Sequence, residues 1–365
     1  MTSWPGKPFP RRGALVVPDR DLARDAHIRR LSPASPTGAS GGGAPTGSRD
    51  KWVEPGARRR LGSGVDITLR RPQPSELRAL ADTLAAWQQD DGVVHLHPGD
   101  LGWYSMRGAP ATAGALRTWS RGGRVVAVGL LDGPDGLLRL AVDPTLRRDE
   151  PLAVHIGADL ADPAGVVLPA GEVVVEARGA EALQAVLVGA GWRLDEPWTP
   201  LRRDLSGPVD DVLVARAGVS VEEVGLDRAA AWMEVHWSAF KGTPFGEAEE
   251  RTVVDWWSTM MSGPFAERGR SLALLDPAGD AVAVVGVWSA GPGRPGLIEP
   301  MGVHGDHRGR GYGAAVCEAA ASVLRAMGAT SAVVCAESSN VGAIATYTGA
   351  GFEACPEAAD LIRPA

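Results

Sequence analysis

Met301-Gly302-Val303-His304-Gly305-Asp306-His307-Arg308-Gly309-Arg310-Gly311-Tyr312-Gly313 decides how this chain is read. Before it, Gly296 to Val303 is an apolar, β-rich run. After it, Val316, Ala320, Val323, Leu324 and Met327 recur at helical spacing, and Gly328 supplies a stop. The order is strand, glycine-rich turn, helix. Such a turn aims consecutive main-chain amides at one spot beside the positive end of the helix dipole, which predicts a pyrophosphate ligand. A P-loop is excluded because no Lys follows the glycines, and a dinucleotide fingerprint because Gly309-x-Gly311-x-Gly313 has the wrong spacing.

Downstream, Asn340 is followed by Ala343, Tyr347, Gly351 and Phe352, with Ala332 to Ala336 as a strand between this stretch and the long helix. Arg308-x-x-Gly311-x-Gly313 resembles the acetyl-CoA pyrophosphate signature of the GNAT superfamily of N-acetyltransferases, and the Asn340 stretch resembles that superfamily's second signature. The motifs that carry the resemblance span Leu297 to Glu353. It implies acetyl-CoA as co-substrate, with the amides of Arg308, Gly309, Arg310, Gly311, Tyr312 and Gly313 on the pyrophosphate. By the same resemblance, Met301, Gly302 and Val303 hold the pantetheine arm as an added strand, and Asn340 contacts the cofactor or caps the helix that follows it. Tyr347 is the implied general acid for the departing thiolate. An amine acceptor is mostly protonated near neutral pH, so a base is required, and Glu299 on the strand entering the loop is the candidate. His304 and His307 flank the loop and are read as structural or solvent-exposed, and Cys317 and Cys335 as buried residues with no arranged base, which favours direct acetyl transfer to a primary amine. A non-catalytic acyl-CoA sensor or scaffold is the other reading; turnover separates the two.

The chain before this domain repeats its order of elements. Arg124 to Leu130, the turn around Gly133 and Gly136, and Leu137 to Val142 match the hairpin and strand at Ala281 to Val303, in a register offset of about 160 residues. Early helices are expected over Ser75 to Gln89 and Asp227 to Phe240. The expected fold is α/β with a mixed sheet, built as two tandem GNAT-like lobes over residues 65–205 and 212–357 and joined near Ser206-Gly207-Pro208. This resembles tandem members of the superfamily such as the mycothiol synthase-like proteins. In register, Arg147 matches Arg308, but Glu150 falls on Gly311, Leu152 on Gly313, Leu187 on Tyr347 and Ala180 on Asn340. The first lobe is therefore expected to be degenerate, a partner that shapes the acceptor cleft.

Composition bounds the rest. The 365 residues are 44% hydrophobic and 22% charged, enough for two cores. Residues 1–64 hold twelve Lys and Arg against five Asp and Glu and include a Ser-, Gly- and Pro-rich run from Ser32 to Ser48, so a disordered basic tail is expected there. With a net charge of −7 overall, the remainder carries about −14 and repels nucleic acid. No apolar run approaches the roughly 20 residues that span a bilayer. The start of the chain lacks a secretory core, so a cytoplasmic location without membrane partners is expected. The acceptor is expected to be a small molecule or peptide, and the three cysteines and seven histidines show no metal-ligand spacing.

Overall fold

The periodic stretch after Pro74 folds as helix α1 (Leu77–Trp87), which buries Leu77, Leu80, Leu84 and Trp87 along one face. The computed structural model describes residues 66–363, apart from 134–135, 163–164 and 166. The tail expected over residues 1–64 lies outside the described residues. Around α1 the first half runs β1 (Ile67–Arg70), α1, α2 (Pro98–Tyr104), α3 (Ala109–Ala115), β2 (Leu116–Arg121), β3 (Arg124–Asp132), β4 (Leu137–Val142), α4 (Glu150–Leu160), β5 (Val173–Glu176), α5 (Glu181–Gly189) and β6 (Arg193–Asp204). A short helix, α6 (Val212–Ala217), follows. The second half then repeats the order with β7 (Ser220–Glu223), α7 (Ala229–Phe240), α8 (Glu247–Met261), β8 (Gly269–Leu275), β9 (Ala281–Ser289), β10 (Gly296–Val303), α9 (Tyr312–Ala326), β11 (Ser331–Glu337), α10 (Val341–Gly349), β12 (Glu353–Ala354) and β13 (Ala358–Arg363).

From Ile67 onward the chain folds as one unit, on one mixed sheet of 13 strands. The order is β1-β2-β3-β4-β5-β13-β6-β11-β10-β9-β8-β7, with β12 beside β6. Each half contributes an antiparallel meander ending in a parallel pair, β4 with β5 and β10 with β11. The last strands are exchanged. β6, from the first half, pairs over Trp198 to Asp204 with β11, while β13, from the end of the chain, pairs with β5. The two exchanged strands then pair antiparallel with each other at the centre of the sheet.

Exchange extends to the cores. Leu201 of β6 is fully buried among Val282, Val285, Val316, Leu324 and Phe352 of the second half. Leu361 of β13 is buried with Trp119, Leu140, Ile156 and Leu187 of the first. Because each half lends a core residue to the other, neither hydrophobic cluster is complete within one stretch of chain. Between the halves, α6 is fixed by the buried Glu318 of α9, whose carboxylate accepts the main-chain amides of Leu213 and Val214 at 2.7 and 3.0 Å. No helix among the described residues is long and apolar enough to cross a membrane.

Candidate active site

β10 and β11 run parallel through only two registered pairs, Gly296 with Ala332 and Leu297 with Val333. Beyond them β11 stays on β6 and β10 stays on β9, so the two strands part and leave a wedge in the sheet. A bulge in β10 between Ile298 and Met301 accompanies the parting and re-aims the residues within it. From Met301 to Val303, β10 keeps its pairs with β9 and presents its other edge to the wedge. This is the edge from which the sequence predicts an added-strand contact.

The loop after β10 closes one end of the wedge. His304 accepts the Asp306 amide, and Ser238 at the end of α7 accepts the Gly305 amide at 3.0 Å. Arg308 donates from its guanidinium to the Ala239 carbonyl at 3.0 Å, so this side chain staples the loop to α7 as well as carrying charge. Gly309 and Gly311 have φ of +77° and +85°, a region that side chains disfavour, and a Cβ on either would point into open space. Among the described residues no hydrogen-bond partner accepts the main-chain amides from Arg308 through Ala314, and Gly311 caps α9 without a side chain. A run of free amides at the first turn of a fifteen-residue helix fits an anionic diphosphate in both charge and donor count. Gly313 has a different role: a Cβ there would come within 2.8 Å of Thr346, so the glycine permits close approach of α9 and α10.

Asn340 caps α10, its side-chain oxygen accepting the Ala343 amide at 3.1 Å. Tyr347, two turns along α10, is 7% exposed and packs edge-on against Phe352, with ring centroids 5.8 Å apart. Its hydroxyl has no hydrogen-bond partner among the described residues. Burial raises its pKa well above the ordinary phenol value, and Cys317, Glu299 and Cys335 are near enough to add to the shift. Glu299 lies inside the β10 bulge with its side chain 20% exposed, and Trp288 donates its indole N–H to the Glu299 carbonyl at 2.8 Å. Burial pushes the Glu299 carboxyl well above the glutamate range; Arg139 opposes the shift, and Asp100 and Asp132 add to it. Burial likewise raises both thiols, Cys335 to about 12, so neither is a ready nucleophile.

Residues 229–352 match the model of the acetyltransferase (GNAT) family. This part of the chain is a GNAT acetyltransferase domain. The family draws its acetyl group from acetyl-CoA. No curated protein matches the chain in sequence. Among solved structures, a tandem GNAT protein from the clavulanic acid biosynthesis pathway, solved without acetyl-CoA, is similar over 82% of this chain and 98% of its own, with a TM-score of 0.55 at 19% identity. A GCN5-related N-acetyltransferase from Sphaerobacter thermophilus aligns over 81% of this chain and 95% of its own, with a TM-score of 0.48 at 21% identity. At 19% identity the first likeness speaks for the fold, and it extends the tandem GNAT architecture across both halves.

The counterpart of the GNAT loop in the first half is filled. Asp149 caps α4, accepting the Leu152 amide at 2.8 Å, and Arg121 grips the same carboxylate at 2.7 and 2.9 Å. The protein's own anion thus occupies the helix end that the second half leaves free. Sequence register put Glu150 in this place; Glu150 is exposed, and the residue before it supplies the carboxylate. Leu152 and Leu187, in register with Gly313 and Tyr347, are both 1% exposed and belong to the first core. Trp232, Trp237, Trp257 and Trp288, which precede the GNAT loop in sequence, are buried. The loop from Lys241 to Gly246 is tied back by Trp237, which donates to the Thr243 carbonyl at 3.1 Å.

Sequence reasoning gave the first half a cleft-shaping role but named none of the residues it brings to this site. Asp100, Asp132, Arg139 and Glu176 gather beside Glu299, yet none belongs to a recognisable motif. The available signal was Pro98-Gly99-Asp100-Leu101-Gly102-Trp103, in which two glycines three apart mark a helix face built for close approach.

Proposed function

We propose that this protein transfers an acetyl group from acetyl-CoA directly to a primary amine of a small molecule or peptide. In this reading residues 212–357 are the catalytic domain. Residues 65–205 are a degenerate partner lobe that closes the acceptor side. The observation that carries the reading is the row of unpaired amides from Arg308 to Ala314 at the mouth of the β10–β11 wedge, with Glu299 and Tyr347 along the same wedge. Amides from Arg308 to Gly313 hold the diphosphate, and the free edge of Met301 to Val303 holds the pantetheine arm. Asn340 orders the start of α10 beside them.

Bound acetyl-CoA supplies a thioester carbonyl as electrophile. Glu299 takes a proton from the acceptor ammonium, which frees the nitrogen lone pair. As the N–C bond forms and the C–S bond breaks, Tyr347 gives its phenolic proton to the sulfur and receives the second nitrogen proton in return. Glu299 then releases its proton to water. Four carboxyls surround the single guanidinium of Arg139, and this local excess of negative charge favours a cationic acceptor. Three unpaired cysteines suit a reducing, cytoplasmic setting.

The test is thiol release from acetyl-CoA against a panel of amines, with calorimetric titration of acetyl-CoA alongside. Binding together with amine-dependent release is expected. Absence of binding removes the reading altogether, and binding without release for any amine removes the catalytic part of it.

A further inference from the structure

Arg139 of β4 stands at the centre of a buried knot of carboxyls. Asp100 lies 2.9 Å from it, Glu176 3.4 Å, Glu299 3.6 Å and Asp132 3.9 Å. All but Glu299 come from the first half. The Asp100 side chain is 1% exposed and fixed at both ends: one oxygen accepts the His97 amide at 2.5 Å in the capping box that starts α2, and the other faces Arg139. The same guanidinium nitrogen of Arg139 meets both Asp100 and Glu299, so the two carboxyls are held on one donor.

Packing explains how Asp100 arrives there. Gly99 and Gly102 lie against the Trp288 side chain so closely that a Cβ would fall within 2.4 or 2.3 Å of it. Trp288 in turn holds the Glu299 carbonyl. The helix bearing Asp100 and the strand bearing Glu299 are therefore registered on one indole.

We propose that Asp100 and Arg139 are positioning residues for acetyl transfer, holding the Glu299 carboxyl where it takes the proton from the acceptor amine. The proposal rests on Glu299 being the base. It makes the first half, which has its own anion at the helix end, part of the catalytic apparatus. The two residues act on Glu299 with opposite sign: the negative charge of a neighbouring carboxylate strengthens the base, and a neighbouring guanidinium weakens it.

The experiment is the pH profile of kcat/KM for the full-length chain and its Asp100→Asn, Arg139→Gln and Glu299→Gln variants, with acetyl-CoA binding measured in each. The groups facing Glu299 are Asp100 from α2, Asp132 from β3, Arg139 from β4, Glu176 from β5 and Tyr347 from α10. Arg178 lies 3.8 Å from Glu176, pairs with Asp360, and donates to the Cys335 sulfur. Asp100→Asn keeps the helix cap and is expected to move the acid limb down by about one pH unit and to lower the plateau about tenfold. Arg139→Gln is expected to move the same limb up. Limbs that stay in place, or that move in the same direction in both variants, overturn the proposal. Should Arg139→Gln fail to fold, Arg139→Lys replaces it: charge without the planar fork is expected to keep the limb near its original place while kcat falls, and unchanged kcat counts against the proposal. If Glu299→Gln leaves both rate and limb intact, the assignment of the base fails first, and the two failures are told apart.

Discussion

Arg178 and Asp360 form a two-point ion pair, at 3.1 and 3.2 Å, between the end of β5 and the strand exchanged into it from the chain's C-terminal end. Their side chains are 4% and 2% exposed; burial works against the guanidinium's charge, and nearby Glu176, Cys335 and Asp360 outweigh it and keep Arg178 firmly charged. Removing one member strands a buried charge, which costs about 3–5 kcal/mol. Asp360→Ala is therefore expected to lower unfolding free energy by that amount in chemical denaturation. Because β13 carries Leu361 into the first core, hydrogen exchange should accelerate first in β4 and β5.

Trp288 makes a second prediction. A methyl group on Gly102 meets the indole at 2.3 Å, a distance that requires α2 or the tryptophan to move. Overpacking of this kind costs about 1–3 kcal/mol, more than the helix propensity gained by alanine. Gly102→Ala is expected to lower the melting temperature and, because Asp100 rides on the same helix, to reduce kcat with little change in acetyl-CoA affinity. Lost stability with intact kcat would uncouple α2 from the site.

Local pattern made individual elements legible. The strand at Gly296 to Val303 and the strand at Leu137 to Val142 have the predicted bounds, because each is an apolar run closed by turn residues. The long helix runs Tyr312–Ala326 and ends just before the Gly328 stop read from the sequence. Strand exchange was not legible: β6 and β13 have ordinary strand patterns, and nothing in period or spacing says which half a strand will pair with. The same holds for Asp100 and Arg139. Their meeting with Glu299 depends on two glycines finding a tryptophan 186 or more residues away, a tertiary fact with no local trace. The motifs point to the part of the candidate site made from contiguous backbone and leave no trace of the part made by packing.

Asp149 supplies a prediction with a sign in pH. Its hydrogen bonds from Arg121 hold the carboxyl below the ordinary aspartate range, with the Leu152 amide adding to the effect. A depressed folded-state pKa means the contribution is full above the unfolded value of about 4 and drains away as pH falls through the folded one. Asp149→Ala removes a cap as well and is expected to cost about 1–2 kcal/mol near neutral pH. The gap between variant and parent, measured by urea denaturation, should close in acid. Acetyl-CoA stoichiometry should stay at one per chain in both proteins, because α4 begins with buried Leu152 where α9 begins with open glycine backbone.

Tyr347 gives the sharpest separation of chemistry from packing. Its ring lies in the second core against Phe352, so phenylalanine fills the same space and the fold should hold. Only the hydroxyl is lost, a group without a hydrogen-bond partner among the described residues and therefore open to the sulfur of the cofactor. The raised pKa keeps this phenol protonated through neutral and mildly alkaline pH, the state a proton donor to sulfur requires. Tyr347→Phe is therefore expected to lower kcat about a hundredfold, within the usual range for losing a general acid, while the calorimetric Kd for acetyl-CoA changes less than about twofold. The deficit should be constant from pH 6 to pH 9, since the parent residue does not titrate in that window. A variant that turns over at the parental rate would assign the ring to packing and leave the thiolate to be protonated by water.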